Sequence, residues 1–415
     1  MYPTKATGGP DLKISIAAPP VWTYCAGDTI IGSVNRSSHI VATDAAISLS
    51  LIGVSKARLI TDGYPTESTH YGDWHLFKLR SQILRRGPIH IPKPSSPSDW
   101  INIPFSLEIP EMTSSSALRN HAQLETFIST EDIYTQHPLP GTFFTEWNSA
   151  KVCIEYYLQA KLRYMRKGSW QVQRAIAPIT LGHPMVDPAG IRFALQRCSA
   201  TSRVRSQRLL PSMQDVDLSF TQKTQKLLGL SSVPGLCFQV VMSVPLAIQL
   251  DNPSPIPLFI RVIPECNGTS GVIKDVVQQV QIISVKMVIL SKTEIILKPS
   301  ELSLYIAPKD EHVFVQPLGL GQAFGELKDP VITSVGPGDV PADIGSLLQL
   351  VLRHDGLWSN GKRFGPLASI QPSFVTYNIK LSHSILWQVS LNIAGETRNV
   401  SMETDVTVYN SALRL

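Results

Sequence analysis

The chain has 415 residues, of which 43% are apolar and 17% charged, and its net charge is +5. That length suits two domains rather than one, and that composition excludes wholesale disorder. The mild positive charge does not by itself point to nucleic acid as a partner.

Five cysteines, Cys25, Cys153, Cys198, Cys237 and Cys266, form an odd set with no Cys-x-x-Cys pair. Neither a disulfide framework nor a zinc site is expected from them. Residues 1–10 contain no apolar core and are expected to form a flexible N-terminal tail. No apolar run is long enough to span a bilayer. A cytoplasmic, reducing location is the consistent expectation, with peripheral attachment at the plasma membrane or endosomes.

Strand signals dominate from residue 11 onward. Leu12, Ile14 and Ile16 alternate with polar neighbours, as do Ala45, Ile47, Leu49 and Leu51. Ile101, Ile103, Phe105, Leu107 and Ile109 share one face, and Pro104 on the other predicts an edge strand or a bulge, because proline cannot donate to a ladder. A short helix is expected over 116–127. The clearest strand runs from Val152 to Tyr164. Val152, Ile154, Tyr156, Leu158, Ala160, Leu162 and Tyr164 take one parity, and Cys153, Glu155, Tyr157, Gln159, Lys161 and Arg163 take the other. A turn that ends in an aromatic residue, Leu139-Pro140-Gly141-Thr142-Phe143, stands upstream of it.

After Pro184 the alternation stops. From 183 to 230 the chain carries Arg192, Arg197, Arg203, Arg205, Arg208, Lys223 and Lys226 against Asp187, Asp215 and Asp217. Residues 183–232 are therefore expected to be a basic, partly solvated interdomain connection. Alternation resumes at Leu236, Phe238, Val240 and Met242 and continues past Trp387 to Val408. A second short helix is expected over 342–352. A second proline-to-phenylalanine turn, Pro372-Ser373-Phe374, precedes another alternating stretch and suggests one sandwich built twice.

These residues resemble the arrestin-like family, in particular the fungal alpha-arrestin type. The likeness lies in Tyr24-Cys25-Ala26-Gly27-Asp28-Thr29-Ile30-Ile31-Gly32-Ser33-Val34, in Ala45 to Gly53, in Ile103 to Pro110, in Leu139 to Leu162 and in Pro372 to Ile379. It covers 11–182 well and 233–410 more loosely. It implies an all-β chain of two tandem immunoglobulin-like antiparallel β-sandwiches, 11–182 and 233–412. It also implies a non-catalytic adaptor that binds membrane-protein cytoplasmic tails or signalling partners and links them to ubiquitin-dependent endocytosis. The alternative is a retromer-type tandem-sandwich scaffold subunit of a stable trafficking complex.

Alpha-arrestins often carry Pro-Pro-x-Tyr motifs for the WW domains of ubiquitin ligases, by docking a polyproline helix on aromatic grooves. None of the eleven tyrosines here follows Pro-Pro-x, so a ligase is expected to be reached through an intermediary.

No Walker loop, Gly-x-Gly-x-x-Gly, His-Glu-x-x-His or Gly-x-Ser-x-Gly occurs, and no enzyme or cofactor is expected. His70, His75, Asp73 and Asp62 form the densest titratable group, which reads as a solvated loop. Trp100, Trp147, Trp170, Trp358 and Trp387 could anchor a partner or fill cores. Lys161, Arg163, Arg166 and Lys167 at a strand end, with Arg203, Arg205 and Arg208 in the connection, are the candidate contacts for a phosphorylated or acidic tail and for an anionic membrane surface. Clustered Arg and Lys make charge-assisted bonds to phosphate. Solvated strand ends and a solvated linker are the plain alternative for both groups.

Overall fold

The structure is a computed structural model, and it describes residues 3–61, 68–77, 80–92, 100–114, 125–128, 137–187, 194–214, 216–228, 232–297, 308–335, 340–366 and 369–410. Strands make up 61% of it and the three helices are short, so the fold is all-β, built of antiparallel sheets without a barrel. The chain forms two compact units. The first is 1–184 with 293–312 and 374–381, and the second is 185–292 with 313–373 and 382–415. The simple tandem division at 11–182 and 233–412 is thereby corrected, because two segments from late in the sequence bury their apolar side chains in the first core.

The first unit holds β1 (Lys13–Ile16), β2 (Thr23–Tyr24), β3 (Thr29–Arg36), β4 (Ile40–Thr61), β5 (Ser68–His75), β6 (Arg80–Ile91), β7 (Ile101–Glu108), β8 (Phe143–Glu146), β9 (Ala150–Arg166) and β10 (Ser169–Leu181). One sheet has the order β1-β3-β7; the other has β2-β10-β9-β4-β5, with β6 on β4 and β8 on β9. Pro104 lies on β7, an edge strand opposite Ser33, as its missing N–H requires. In β9 the parity expected from sequence holds: Val152, Ile154, Tyr156, Leu158, Ala160 and Leu162 are buried in the first core. The hydroxyl of Tyr156 donates to the Pro140 carbonyl at 2.7 Å, so this buried phenol is satisfied within the turn upstream. Gly141 in that turn lies against His183, where a Cβ would stand 2.5 Å from the ring.

The segments that end in Phe143 and Phe374 do not build equivalent copies. Phe143 and Phe374 meet edge to face in the first core, with ring centroids 5.0 Å apart, and His183 lies 5.7 Å from Phe374. Ile295, Leu297, Ile379 and Leu381 join the same core. The buried Ser55 hydroxyl donates to the Asn378 side chain.

The described part of the N-terminal segment is held rather than free. Thr7 exchanges backbone hydrogen bonds with Ile176 at the edge of β10, at 3.0 and 2.9 Å. Thr4 donates from its backbone and its hydroxyl to the two carboxylate oxygens of Glu155, at 2.6 and 2.7 Å. Glu155 is buried and also pairs with Lys56. Burial lowers the Lys56 pKa, but the hydrogen bond and charge of Glu155 outweigh it and leave the pKa raised. A buried carboxylate needs such partners, which is why residues 4–7 dock.

The second unit holds β11 (Leu195–Arg205), β12 (Gly235–Pro245), β13 (Ala247–Gln249), β14 (Phe259–Glu265), β15 (Gln278–Ile296), β16 (Lys309–Pro317), β17 (Val331–Val335), β18 (Ala342–Asp343), β19 (Val351–Arg353), β20 (Gly356–Ser359), β21 (Lys362–Phe364), β22 (Phe374–Val375), β23 (Ile379–Ile393) and β24 (Glu396–Tyr409), with parts of β15, β16 and β23 and all of β22 belonging to the first unit. Its helices are α1 (Phe220–Leu227), α2 (Leu320–Gly325) and α3 (Ile344–Leu348). The main sheet runs β11-β12-β14-β17-β15-β23-β24-β13. Leu236, Phe238, Val240, Met242 and Val244 of β12 enter one core with Trp387, whose indole N–H donates to Thr404 at 2.9 Å.

The helix expected over 342–352 shrinks to α3. Asp343 caps its start by accepting from the Ser346 N–H at 3.0 Å, and Gln349 at φ +47° ends it. The helix expected over 116–127 falls largely outside the described residues.

Leu158 is fully buried while Gln159 takes the opposite face. Leu158→Asp is expected to destabilise the protein by about 4 kcal/mol or more through an unpaired buried charge, and Gln159→Asp by under ~1 kcal/mol. Urea titrations of the two variants should differ accordingly; equal midpoints would refute the face assignment. A fragment of residues 1–184 lacks Ile295, Leu297, Phe374, Ile379 and Leu381. It is expected to show no cooperative melt, whereas a sharp thermal transition would show that the first core closes without them.

Candidate anion-binding face of the first sheet

Strands β9 and β10 form a hairpin closed by Lys167 and Gly168, both in the left-handed region at φ +48° and +78°. A two-residue turn of this kind fixes the register, pairing Arg166 with Ser169 and Lys161 with Arg174. On its other side β9 pairs with β4, which sets Ser48 beside Lys161 and Ala46 beside Arg163. Next comes β6, with Ile83 beside Ser48 and Arg86 beside Ala46. Two rows result on the face turned away from the core: Ile83, Ser48, Lys161, Arg174; and Arg86, Ala46, Arg163, Val172. Neighbours in a row are ~5 Å apart and alternate ones ~10 Å.

Lys161 and Arg174 are like charges directly opposite each other, an arrangement that costs stability on its own. Ala46 and Ser48 are small and leave the floor between the cations low. The Arg163 guanidinium lies 4.0 Å from the centroid of the Trp170 ring, which holds the plane of the fork in place. Arg166 and Lys167 are exposed at the hairpin end. Among the described residues none of these cations has a carboxylate partner within ion-pair distance. Asp44, at the bulge that opens β4, is not paired with them either.

The sequence singled out Lys161, Arg163, Arg166 and Lys167 but missed Arg86 and Arg174. Arg174 follows from the two-residue turn once Lys167-Gly168 is read as a hairpin. Arg86 follows only from the β4–β6 pairing, which carries two register shifts that the sequence does not announce.

Arg203, Arg205 and Arg208 are not in a linker. They belong to the second unit, and the stretch read as connection contains β11, paired along its length with β12. Polar residues alternating with Cys198, Ala200 and Ser202 hid this strand. The Arg203 carbonyl accepts from Arg398 at 2.8 Å. Arg208 donates to the Val216 carbonyl at 3.3 Å and faces Asp217 at 3.4 Å, so its charge is engaged inside its own loop.

Other candidates resolve into packing. On β5, Asp73 and His75 take the exposed face while His70 takes the opposite one, beside Thr61 at 3.2 Å, so the three cannot converge. Asp62 lies outside the described residues. Among the described residues no group of three or more His, Cys, Asp or Glu is placed to hold a metal ion. Trp147 donates to Asp310 at 2.9 Å and stacks on His312, and Trp358 donates to Asp355 and lies under Arg353. Trp100 lies near Lys13. Among the described residues no helix is long and apolar enough to cross a membrane. No protein-family model matches the chain, and no curated protein matches it.

His383 is a buried titratable group whose ring nitrogen Nδ1 lies 3.0 Å from the Ser291 hydroxyl. Burial pushes its pKa down from 6.5 to about 4, against a smaller opposing effect of the Gln371 backbone. The unfolded chain therefore takes up this proton at a higher pH than the folded one. Stability present above pH 6.5 is lost as pH falls toward 4. The loss amounts to about 3 kcal/mol from this residue. Urea unfolding at both ends of that window should show a smaller pH dependence for His383→Gln than for the unsubstituted protein; identical slopes would refute the assignment.

Proposed function

We propose that the chain is a non-catalytic arrestin-like adaptor that takes acidic or phosphorylated segments of membrane-protein cytoplasmic tails on the outer face of β6, β4, β9 and β10. The observation that carries this reading is the cationic pair Lys161–Arg174, set side by side, without a carboxylate partner among the described residues, and flanked by Arg163 and Arg86. An anion placed over it would relieve the repulsion and accept charge-assisted hydrogen bonds from two strands at once. Arg163, stacked on Trp170, presents its fork already ordered, which lowers the entropy lost on binding. The resemblance in the strand and turn motifs supports an adaptor over an enzyme. The absence of Pro-Pro-x-Tyr supports a ubiquitin ligase reached through a second protein.

Isothermal titration with a peptide carrying two phosphoserines and with its unphosphorylated twin tests the reading. The phosphorylated form is expected to bind, and Lys161→Ser with Arg174→Ser to weaken it about tenfold, or ~1.4 kcal/mol, while leaving the melting temperature unchanged or raised. Equal affinity for both peptides, or unchanged binding in the double variant, would rule the face out.

A further inference from the structure

Between β11 and β12 the chain makes an excursion from Ser206 to Pro234 whose ends are tied together. The Ser206 N–H donates to the Pro234 carbonyl at 3.1 Å, and the Gln207 side chain reaches the Ser232 carbonyl at 3.4 Å. Arg208 braces the interior through Val216 and Asp217. Helix α1 stands on this loop. Its start is a reciprocal cap: the Ser219 hydroxyl accepts from the Gln222 N–H at 3.3 Å, and the Gln222 side chain accepts from the Ser219 N–H at 2.8 Å. The Leu228 N–H still donates to the Thr224 carbonyl, which extends the helical bonding by one residue.

At helical spacing Phe220, Thr224, Leu227 and Leu228 fall on one stripe. Phe220 is 85% exposed, Leu227 89% and Leu228 69%. Tertiary packing normally hides such a stripe, and an isolated helix of this length is marginal in water. From Leu218 to Ser232 the chain has two lysines, Lys223 and Lys226, and no acidic residue.

We propose that this loop is a membrane contact, with α1 lying in the interface of an anionic bilayer and Phe220, Leu227 and Leu228 entering the acyl boundary. Two features favour lipid over protein. Three side chains cover only a few hundred Å², well short of the ~1,000 Å² that a specific protein interface needs. A bilayer demands no matching shape, and a stretch that from 218 to 232 holds two lysines and no acid in its sequence complements anionic headgroups. The proposal stands apart from the peptide-binding reading, since it uses a different unit and a different kind of side chain.

Flotation of the full chain with phosphatidylcholine vesicles, with and without about 30% phosphatidylserine, tests it. Binding is expected only with the anionic lipid. Phe220→Ser, Leu227→Ser and Leu228→Ser together should reduce it by about tenfold or more. Because all three side chains are exposed, the melting temperature and the phosphopeptide affinity should not change. Lys223→Gln with Lys226→Gln should weaken flotation at low salt and flatten its salt dependence. Unchanged flotation of the triple variant would overturn the proposal, as would absence of flotation by the unsubstituted chain. A concentration-dependent dimer that the triple variant abolishes would assign the stripe to a second copy and overturn it as well.

Discussion

The first core depends on burying Phe374 against Phe143 and His183. The Phe143–Phe374 contact joins residues more than 200 positions apart in sequence, from a turn near 140 to a segment near 374. Around it Ile295, Leu297, Ile379 and Leu381 fill space that β4 and β9 leave open, and Asn378 receives the buried Ser55 hydroxyl. An unpaired buried hydroxyl would be costly, so the late segment satisfies polarity as well as volume. The first unit therefore cannot complete its core until residue 381 has left the ribosome. Pairings of such sequence separation form slowly, because the chain loses loop entropy before contacts compensate it.

The outer face of the first large sheet is divided electrostatically. Toward the β8 end, Lys56 and Glu155 neutralise each other and Thr4 completes the carboxylate's partners. Toward the hairpin end, Lys161, Arg163, Arg174 and Arg86 share a neighbourhood in which, among the described residues, none has an ion-pair partner. Both arrangements sit on the same strands, β4 and β9, and differ only in which residues the pairing register brings abreast. The neutralised half is buried and has structural work to do. The cationic half is solvated, so its repulsion is screened by salt and tolerable, yet it remains available to a ligand that brings negative charge out of bulk water.

The loop that carries α1 follows a different logic. Its ends, its brace at Arg208 and its capping box are all satisfied locally, so the helix is specified without a core of its own. What is left exposed includes three large apolar side chains, Phe220, Leu227 and Leu228, beside the polar ones that a solvated linker would show. Exposed apolar stripes of this kind mark contact surfaces.

Alternation along β9 fixed which side chains face inward, because a strand has a period of two and only one face of this one meets the core. Pro104 announced an edge for the same elementary reason, a missing donor. The turn at Lys167-Gly168 contained the register that brings Arg174 beside Lys161, and Ser219-Phe220-Thr221-Gln222 contained a capping box. Local chemistry thus made the all-β class and half of the cationic face legible from residues alone. Tertiary structure decided the rest. It sent Phe374 into the first core rather than a second copy of it, docked Thr4 on Glu155, turned a presumed linker into β11 and drew Arg86 into the face. These outcomes join residues far apart in sequence, and the free energy that selects them resides in buried area and satisfied hydrogen bonds that no local pattern encodes.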